Sequence, residues 1–144
     1  MKTVNIETFL TFRPCYAEAK IREIANGKDD WTALEILRLE NVSDQDKLWS
    51  VLREEFIDAN LLHEFSCRVA EKALLLIPNP DMRSVKAIEA KRAWLRGEID
   101  TSELSTAWAA ASDAASDAAW AAARAEQVAI LIEMLEKHEL DSDE

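Results

Sequence analysis

The 144-residue sequence contains only two glycines, three prolines and two cysteines, and each scarcity excludes a class of structure. Two isolated glycines, Gly27 and Gly97, cannot form the glycine-rich loop that holds phosphates in nucleotide-binding proteins. Two cysteines, Cys15 and Cys67, are too few for a disulfide framework, and we expect two buried thiols rather than a bridge. An ordinary apolar core must therefore stabilise the chain.

Long apolar runs and strand patterns are also missing. No stretch of about 18 uncharged apolar residues occurs, and the first ten residues carry an acid where a signal peptide has its apolar core. No alternation of apolar and polar residues bounded by turn residues indicates a strand. We therefore predict a cytoplasmic, all-α protein without a membrane segment.

Positive charge is scarce in the last third of the chain, and the net charge of the whole is −11. Residues 97–144 contain 12 acids and two bases, whereas residues 1–96 contain 16 acids and 15 bases. An acidic surface repels phosphate backbones and attracts basic proteins. We therefore expect a basic protein as partner, and no direct contact with nucleic acid or membrane.

Capping residues and helix breakers divide residues 1–97 into short amphipathic helices. Helices are predicted to start at side chains that accept hydrogen bonds from the first turn, namely Asp30, Ser43 and Asp81. They are predicted to end at Asn26-Gly27, at Pro78-Asn79-Pro80 and at Gly97. After Ser43, the helical period assigns four side chains to the core: Leu48, Trp49, Leu52 and Phe56.

Residues 100–138 contain neither glycine nor proline and are rich in alanine, the strongest helix former. They predict a single helix of roughly 37 residues, about 55 Å long at the usual rise per residue. Asp100 and Glu103 have the spacing of a capping box at its start. Residues 139–144 are acidic and poor in apolar side chains, and we predict a frayed tail.

These patterns together predict one domain over residues 1–144, an all-α bundle of about six or seven helices packed on the long C-terminal helix. Residues 1–97 supply the shorter helices. The turn at residues 97–100 is short, which favours antiparallel packing of the sixth helix against the long one. The sixth helix carries a basic flank, which consists of Arg83, Lys86, Lys91, Arg92 and Arg96.

The polar arc of the long helix carries most of the residues for which we predict contact with a partner. Asp113 and Asp117 lie one turn apart, and Trp120 and Arg124 share their arc. Trp120 is either covered by another helix or exposed as an aromatic anchor, and Trp108 can serve as an anchor in the same way. These five side chains form the predicted partner-binding set.

His63 and Cys67 lie one helical turn apart, a spacing that resembles the metal-binding HExxH helix. A zinc site needs a third ligand, and the only other histidine is His138, in the last turn of the long helix. We interpret His63 as a histidine at the edge of the core and Cys67 as a buried thiol. A metal-dependent hydrolase centred on this pair is kept as an alternative, and we otherwise predict no catalytic residue, metal or cofactor.

Residues 65–99 read FSCRVAEKALLLIPNPDMRSVKAIEAKRAWLRGEI, and the tract TAWAAASDAASDAAWAAARAE follows shortly after. Over about residues 65–124 the chain resembles a family of alanine-rich helical immunity proteins of bacteria and their phages. The [KR]AIE-x4-W-x-RGE element carries most of the resemblance. The family label implies that the protein neutralises a toxin by binding it, and it implies neither a target nor particular site residues.

The sequence thus predicts a non-catalytic, immunity-like inhibitor that neutralises a basic toxin or nuclease through an acidic helix face. A phage-encoded counter-defence protein, similar in action to anti-CRISPR inhibitors of nucleic-acid-binding effectors, is a second hypothesis. The hydrolase centred on His63 and Cys67 is a third, and a helical scaffold that oligomerises through its alanine face is a fourth. The sequence leaves the oligomeric state open.

Overall fold

The computed structural model describes residues 1–76, 79–111 and 118–142, with the backbone alone at 110–111 and 118–125. Helices dominate this part of the chain, which confirms the predicted helical class. The helices are α1 (Ile6–Thr11), α2 (Glu18–Ala25), α3 (Ala33–Leu37), α4 (Asp44–Val51), α5 (Ala59–Leu75), α6 (Met82–Leu95), α7 (Thr101–Ala111) and α8 (Ala118–Ser142).

Two short strands, β1 (Thr3–Val4) and β2 (Trp31–Thr32), form a small antiparallel sheet. Thr3 pairs with Thr32, and Val4 pairs with Trp31. The expectation that the chain contains no strand is wrong at these positions. A strand of two residues is too short to show the alternation of apolar and polar side chains that reveals strands in a sequence.

The chain folds as two compact units. Unit 1 comprises Met1–Ala59 and Ile132–Glu144, and unit 2 comprises Asn60–Leu131. The most deeply buried large side chains of unit 1 are Phe56, Leu37, Ile57 and Val51, and that of unit 2 is Leu131. Helix α8 contributes residues to both units. The single domain predicted over residues 1–144 stays a prediction.

Local capping chemistry explains where several helices begin. The Ser43 hydroxyl accepts a hydrogen bond from the Asp46 amide at 3.2 Å, and the Asp81 carboxylate accepts one from the Arg83 amide at 2.8 Å. Asp100 and Glu103 form the predicted capping box. The Asp100 carboxylate accepts a hydrogen bond from the Glu103 amide at 2.8 Å, and the Glu103 carboxylate accepts one from the Asp100 amide at 3.4 Å. The predicted starts at these three positions are confirmed.

The start of α3 differs from the prediction. Thr32, and not Asp30, is the N-cap, and its hydroxyl accepts from the Glu35 amide at 3.2 Å. The Glu35 carboxylate accepts from the Thr32 amide at 3.0 Å, which completes a capping box. Because Trp31 and Thr32 pair with β1, the helix cannot begin before Ala33.

Three further side chains are more exposed than the sequence predicts. Trp49 and Leu52 are about 40% exposed, whereas Leu48 and Phe56 are buried as expected. Leu52 lies beyond Val51, the last residue of α4, so the helical period does not apply to it. Cys15 is exposed because it lies in the turn between α1 and α2, and the expectation of a buried thiol there is wrong.

Helices α6 and α7 pack against each other across a short connection, as predicted for the sixth helix and the start of the long one. The prediction of one helix over residues 100–138 includes residues 112–117, which lie outside the described residues, and it stays a prediction. Helix α8 extends to Ser142, four residues beyond the end predicted at His138. The Ser142 hydroxyl donates a hydrogen bond to the His138 carbonyl at 2.8 Å, within this last turn.

Candidate functional site

The structure locates one of the five predicted partner-binding side chains. Asp113 and Asp117 lie outside the described residues. Trp120 and Arg124 belong to α8, in the stretch where the backbone alone is described. Trp108 lies on α7 and is 45% exposed, so it is available as the aromatic anchor that the sequence predicts.

Trp108 belongs to a cluster of aromatic and cationic side chains in unit 2, which we call the Trp108 cluster. The Lys91 ammonium lies 5.9 Å from the centre of the Trp108 ring and 5.6 Å from the centre of the Trp94 ring. The His63 ring meets the Trp94 ring edge to face at 5.0 Å. Cation–π and ring contacts thus link α5, α6 and α7, and fix the position of the exposed Trp108 indole.

Three of the five cations in the basic flank of α6 form ion pairs with acids close to them in the described part of the chain. The Arg92 guanidinium is hydrogen-bonded to Glu71 and, at 3.0 Å, to Glu64, both on α5. The bond from Glu71, followed by those from Glu64, raises the pKa of Arg92 above its usual value. Burial raises the pKa of Glu64, but hydrogen bonds from Arg68 and Arg92 outweigh it and leave that pKa below its usual value.

The ends of α6 show the same local pairing. Arg83 forms an ion pair with Asp81 at 2.7 Å, and Arg96 forms one with Glu98 at 2.9 Å. The two side chains of each pair are separated by a single residue in the sequence. Arg92 therefore forms ion pairs with acids of α5, and Arg83 and Arg96 form ion pairs with acids of the turns beside α6.

The acids of α8 divide into two groups. Glu126 forms an ion pair with Lys72 of unit 2, and Glu136 forms one with Arg38 of unit 1. Three further acids of α8 are exposed and have no ion pair among the described residues: Glu133, Glu139 and Asp141. The last turns of α8 therefore present uncompensated negative charge to solvent.

His63 and Cys67 do not form part of a metal site in the residues that the structure describes. Cys67 is 2% exposed, and burial raises the pKa of its thiol, which opposes formation of the thiolate that metals bind. The His63 ring meets the Trp94 ring edge to face. Across residues 1–76, 79–111 and 118–142, no group of three histidine, cysteine or acidic side chains is placed to hold a metal ion.

A second site, in unit 1, was not predicted from the sequence. An apolar cavity of about 90 Å³ lies between the first helices and is open on one side. The Tyr16 hydroxyl donates a hydrogen bond to the Asp46 carboxylate at 2.7 Å in its wall, and this bond raises the pKa of Tyr16. Tyr16 and Asp46 are 30 positions apart and belong to no motif, so no signal in the sequence connects them.

Within the described ranges, no helix is both long enough and apolar enough to cross a bilayer. No family model, no curated protein and no solved structure matches the chain. The resemblance to immunity proteins therefore stays a prediction.

Proposed function

We propose that the protein is a non-catalytic, immunity-like inhibitor that binds a basic protein, such as a toxin or nuclease, through its acidic C-terminal region. The main support is the uncompensated charge on α8, where Glu133, Glu139 and Asp141 are exposed and unpaired among the described residues. Lys137 is the only lysine or arginine between Glu133 and Asp141. A basic surface would find here carboxylates that need not first leave an internal partner.

The local pairing of α6 adds a second argument. Had the basic flank of α6 been free, it could have neutralised the acids that follow it in the sequence. Arg92 is instead held by Glu64 and Glu71, so its charge is already compensated within α5 and α6. In this proposal the exposed acids of α8 that form no ion pair among the described residues, Glu133, Glu139 and Asp141, are then left for an outside partner.

In this proposal, residues 100–138 form one long helix on which the other helices pack as a bundle. Asp113 and Asp117 then extend the acidic surface along its polar side, with Trp120 and Arg124 on the same arc. Trp108 supplies a large, exposed indole that a partner can cover. Charge complementarity accelerates the encounter, and burial of the indole slows dissociation.

The test begins with capture of a partner from the native host by the tagged wild-type protein, followed by identification of the bound protein. Binding kinetics are then measured at several salt concentrations for wild type and for Glu139→Lys/Asp141→Lys, which reverses the charge of two of the exposed acids of α8. The matched control is Glu54→Lys/Glu55→Lys, which makes the same change in net charge at two exposed positions of unit 1. The first variant should slow association roughly tenfold and flatten its salt dependence, and the control should do so far less.

Two results would refute the proposal: a captured partner whose binding surface is acidic, or equal effects of the two double variants on association. The counter-defence hypothesis uses the same acidic surface and predicts the same kinetics. The identity of the captured protein distinguishes the two hypotheses: a toxin supports immunity, and a nucleic-acid-binding defence effector supports counter-defence.

A further inference from the structure

The cavity of unit 1 has a wall that is almost entirely apolar. Ile6, Ile21 and Ala25 form a buried cluster behind it, and aromatic side chains pack against this cluster. The aromatic residues of the wall are Phe9, Tyr16, Trp31, Trp49 and Phe56. An engineered apolar cavity of roughly 150 Å³ binds benzene. The cavity of unit 1, at about 90 Å³, is smaller but open on one side, so it is matched to a single aromatic ring whose substituent extends through the opening.

Most polar groups in this wall already have partners. The Asn5 side-chain oxygen caps α1 by accepting from the Thr8 amide at 2.8 Å. The Ser50 hydroxyl donates to the Asp46 carbonyl at 2.7 Å. The Asp46 carboxylate accepts a bond from the neutral Tyr16 hydroxyl through one oxygen, Oδ2. It carries a formal charge, and among the described residues it forms no ion pair.

The cations beside the cavity are engaged elsewhere. Lys28 lies over the Trp31 ring and forms an ion pair with Glu35 at 2.9 Å. The Arg53 guanidinium lies 4.7 Å from the centre of the Trp49 ring and donates to the Trp49 carbonyl at 2.8 Å. Neither forms an ion pair with Asp46. The cavity therefore combines an apolar wall with one carboxylate that has spare capacity to accept hydrogen bonds.

We propose that this cavity binds a small arylalkylamine, with the ring against the apolar wall and the ammonium group on the Asp46 carboxylate. An ammonium supplies both the positive charge and the donors that Asp46 lacks, and charge-assisted bonds of this kind are the stronger ones. A neutral or anionic molecule with the same ring would leave Asp46 without a cation. This inference is independent of the proposed inhibitor function, which concerns the C-terminal region.

The exposed thiol of Cys15 offers a direct measurement, because Cys15 also lines the cavity. The rate of its alkylation by iodoacetamide is followed by mass spectrometry in the full-length protein, with glutathione in the same tube as a control for reagent loss. The probes are 2-phenylethylamine, 2-phenylethanol and phenylacetate, which share a ring. The amine should slow alkylation of Cys15 in a saturable way, with half-protection at about 1 mM or below. Phenylacetate should give no protection.

Two variants separate the roles of charge and cavity. Asp46→Asn keeps an oxygen that can accept from Tyr16 and removes the charge, so it should weaken protection by the amine roughly tenfold and leave that by the alcohol unchanged. Ile24→Phe enlarges a partly exposed side chain of the wall and should abolish protection by both. Circular dichroism checks that each variant is folded.

The comparison of protection by the amine and by the alcohol on the wild-type protein tests the role of Asp46 even when a variant fails to fold. Equal protection by the amine and the alcohol would overturn the role assigned to Asp46. Absence of saturable protection by the amine up to about 10 mM, a range in which even weak small ligands bind, would overturn the site itself.

Discussion

Replacing Arg92 by methionine tests how strongly the α5–α6 charge network holds unit 2 together. Methionine keeps an unbranched apolar side chain and removes the cation that joins Glu64 and Glu71. The Arg92 and Glu64 side chains are each about 30% exposed, so the network is neither fully solvated nor fully buried. Loss of hydrogen bonds between charged groups costs about 1.5–3 kcal/mol when one partner is left behind.

We expect Arg92→Met to lower the free energy of unfolding by about 1–3 kcal/mol at pH 7, since Glu64 keeps Arg68 as a partner and limits the loss. Unfolding is followed by circular dichroism in urea, which leaves the ionic strength unchanged. Arg96→Met, at the C-cap of the same helix, is the matched control. Its pair with Glu98 is more than half exposed, so its effect should be much smaller.

The pH dependence gives the sharper test. Because the folded-state pKa of Glu64 lies below the ordinary value of 4.5, its contribution to stability is complete above pH 4.5 and is lost as the pH falls through the lower folded value. Wild type and Arg92→Met should therefore differ most near neutral pH and converge in acid. A difference that is the same at pH 7 and pH 3, or as large in Arg96→Met, would refute this account.

Two further predictions concern the core and a helix start. Leu131 is completely buried, so Leu131→Ala should lower the free energy of unfolding by about 2–5 kcal/mol in urea denaturation, and Ile132→Ala, at a half-buried position, by clearly less. The side-chain hydrogen bond from Arg83 is the main cause that lowers the pKa of Asp81 to about 2. The Asp81 carboxylate should therefore stabilise the folded state above pH 3.8, and this stabilisation should be lost as the pH falls from 3.8 to about 2. Asp81→Asn should abolish that loss, and an NMR titration that returned a pKa near 3.8 for Asp81 would contradict it.

Helix starts were the feature that the sequence predicted best, because a cap depends on residues within one turn. Ser43, Asp81 and Asp100 each accept a hydrogen bond from an amide two or three residues later, as the local pattern indicates. The start predicted at Asp30 failed for a reason that is not local. Thr3 and Thr32 pair across 29 positions, and this pairing moves the N-cap to Thr32.

Contacts between distant segments account for the rest of what could not be predicted. Helical periodicity shows which residues share a face of a helix, but it does not show which neighbour covers that face. Arg92 was assigned to a basic flank beside the long acidic helix, and the structure pairs it with Glu64 and Glu71 of the preceding helix. The bond between Tyr16 and Asp46, which defines the polar side of the cavity, has the same long-range character.

This distinction also bears on how net charge should be interpreted. Residues 1–96 carry nearly equal numbers of acids and bases. Some of these charges pair within one helix, as Arg22 does with Glu18, and others pair between adjacent helices, as Arg92 does with Glu64. Among the described residues, Lys72 and Arg38 are the cations of residues 1–96 that form ion pairs with acids of α8, and they pair with Glu126 and Glu136. Two facts together leave the acids at the end of α8 without ion-pair partners in the part of the chain that the structure describes. Residues 97–144 contain few bases, and most cations of residues 1–96 that form ion pairs use acids of their own region. If the acidic region binds a basic protein, its binding should therefore depend on salt far more steeply than the stability of the free protein does.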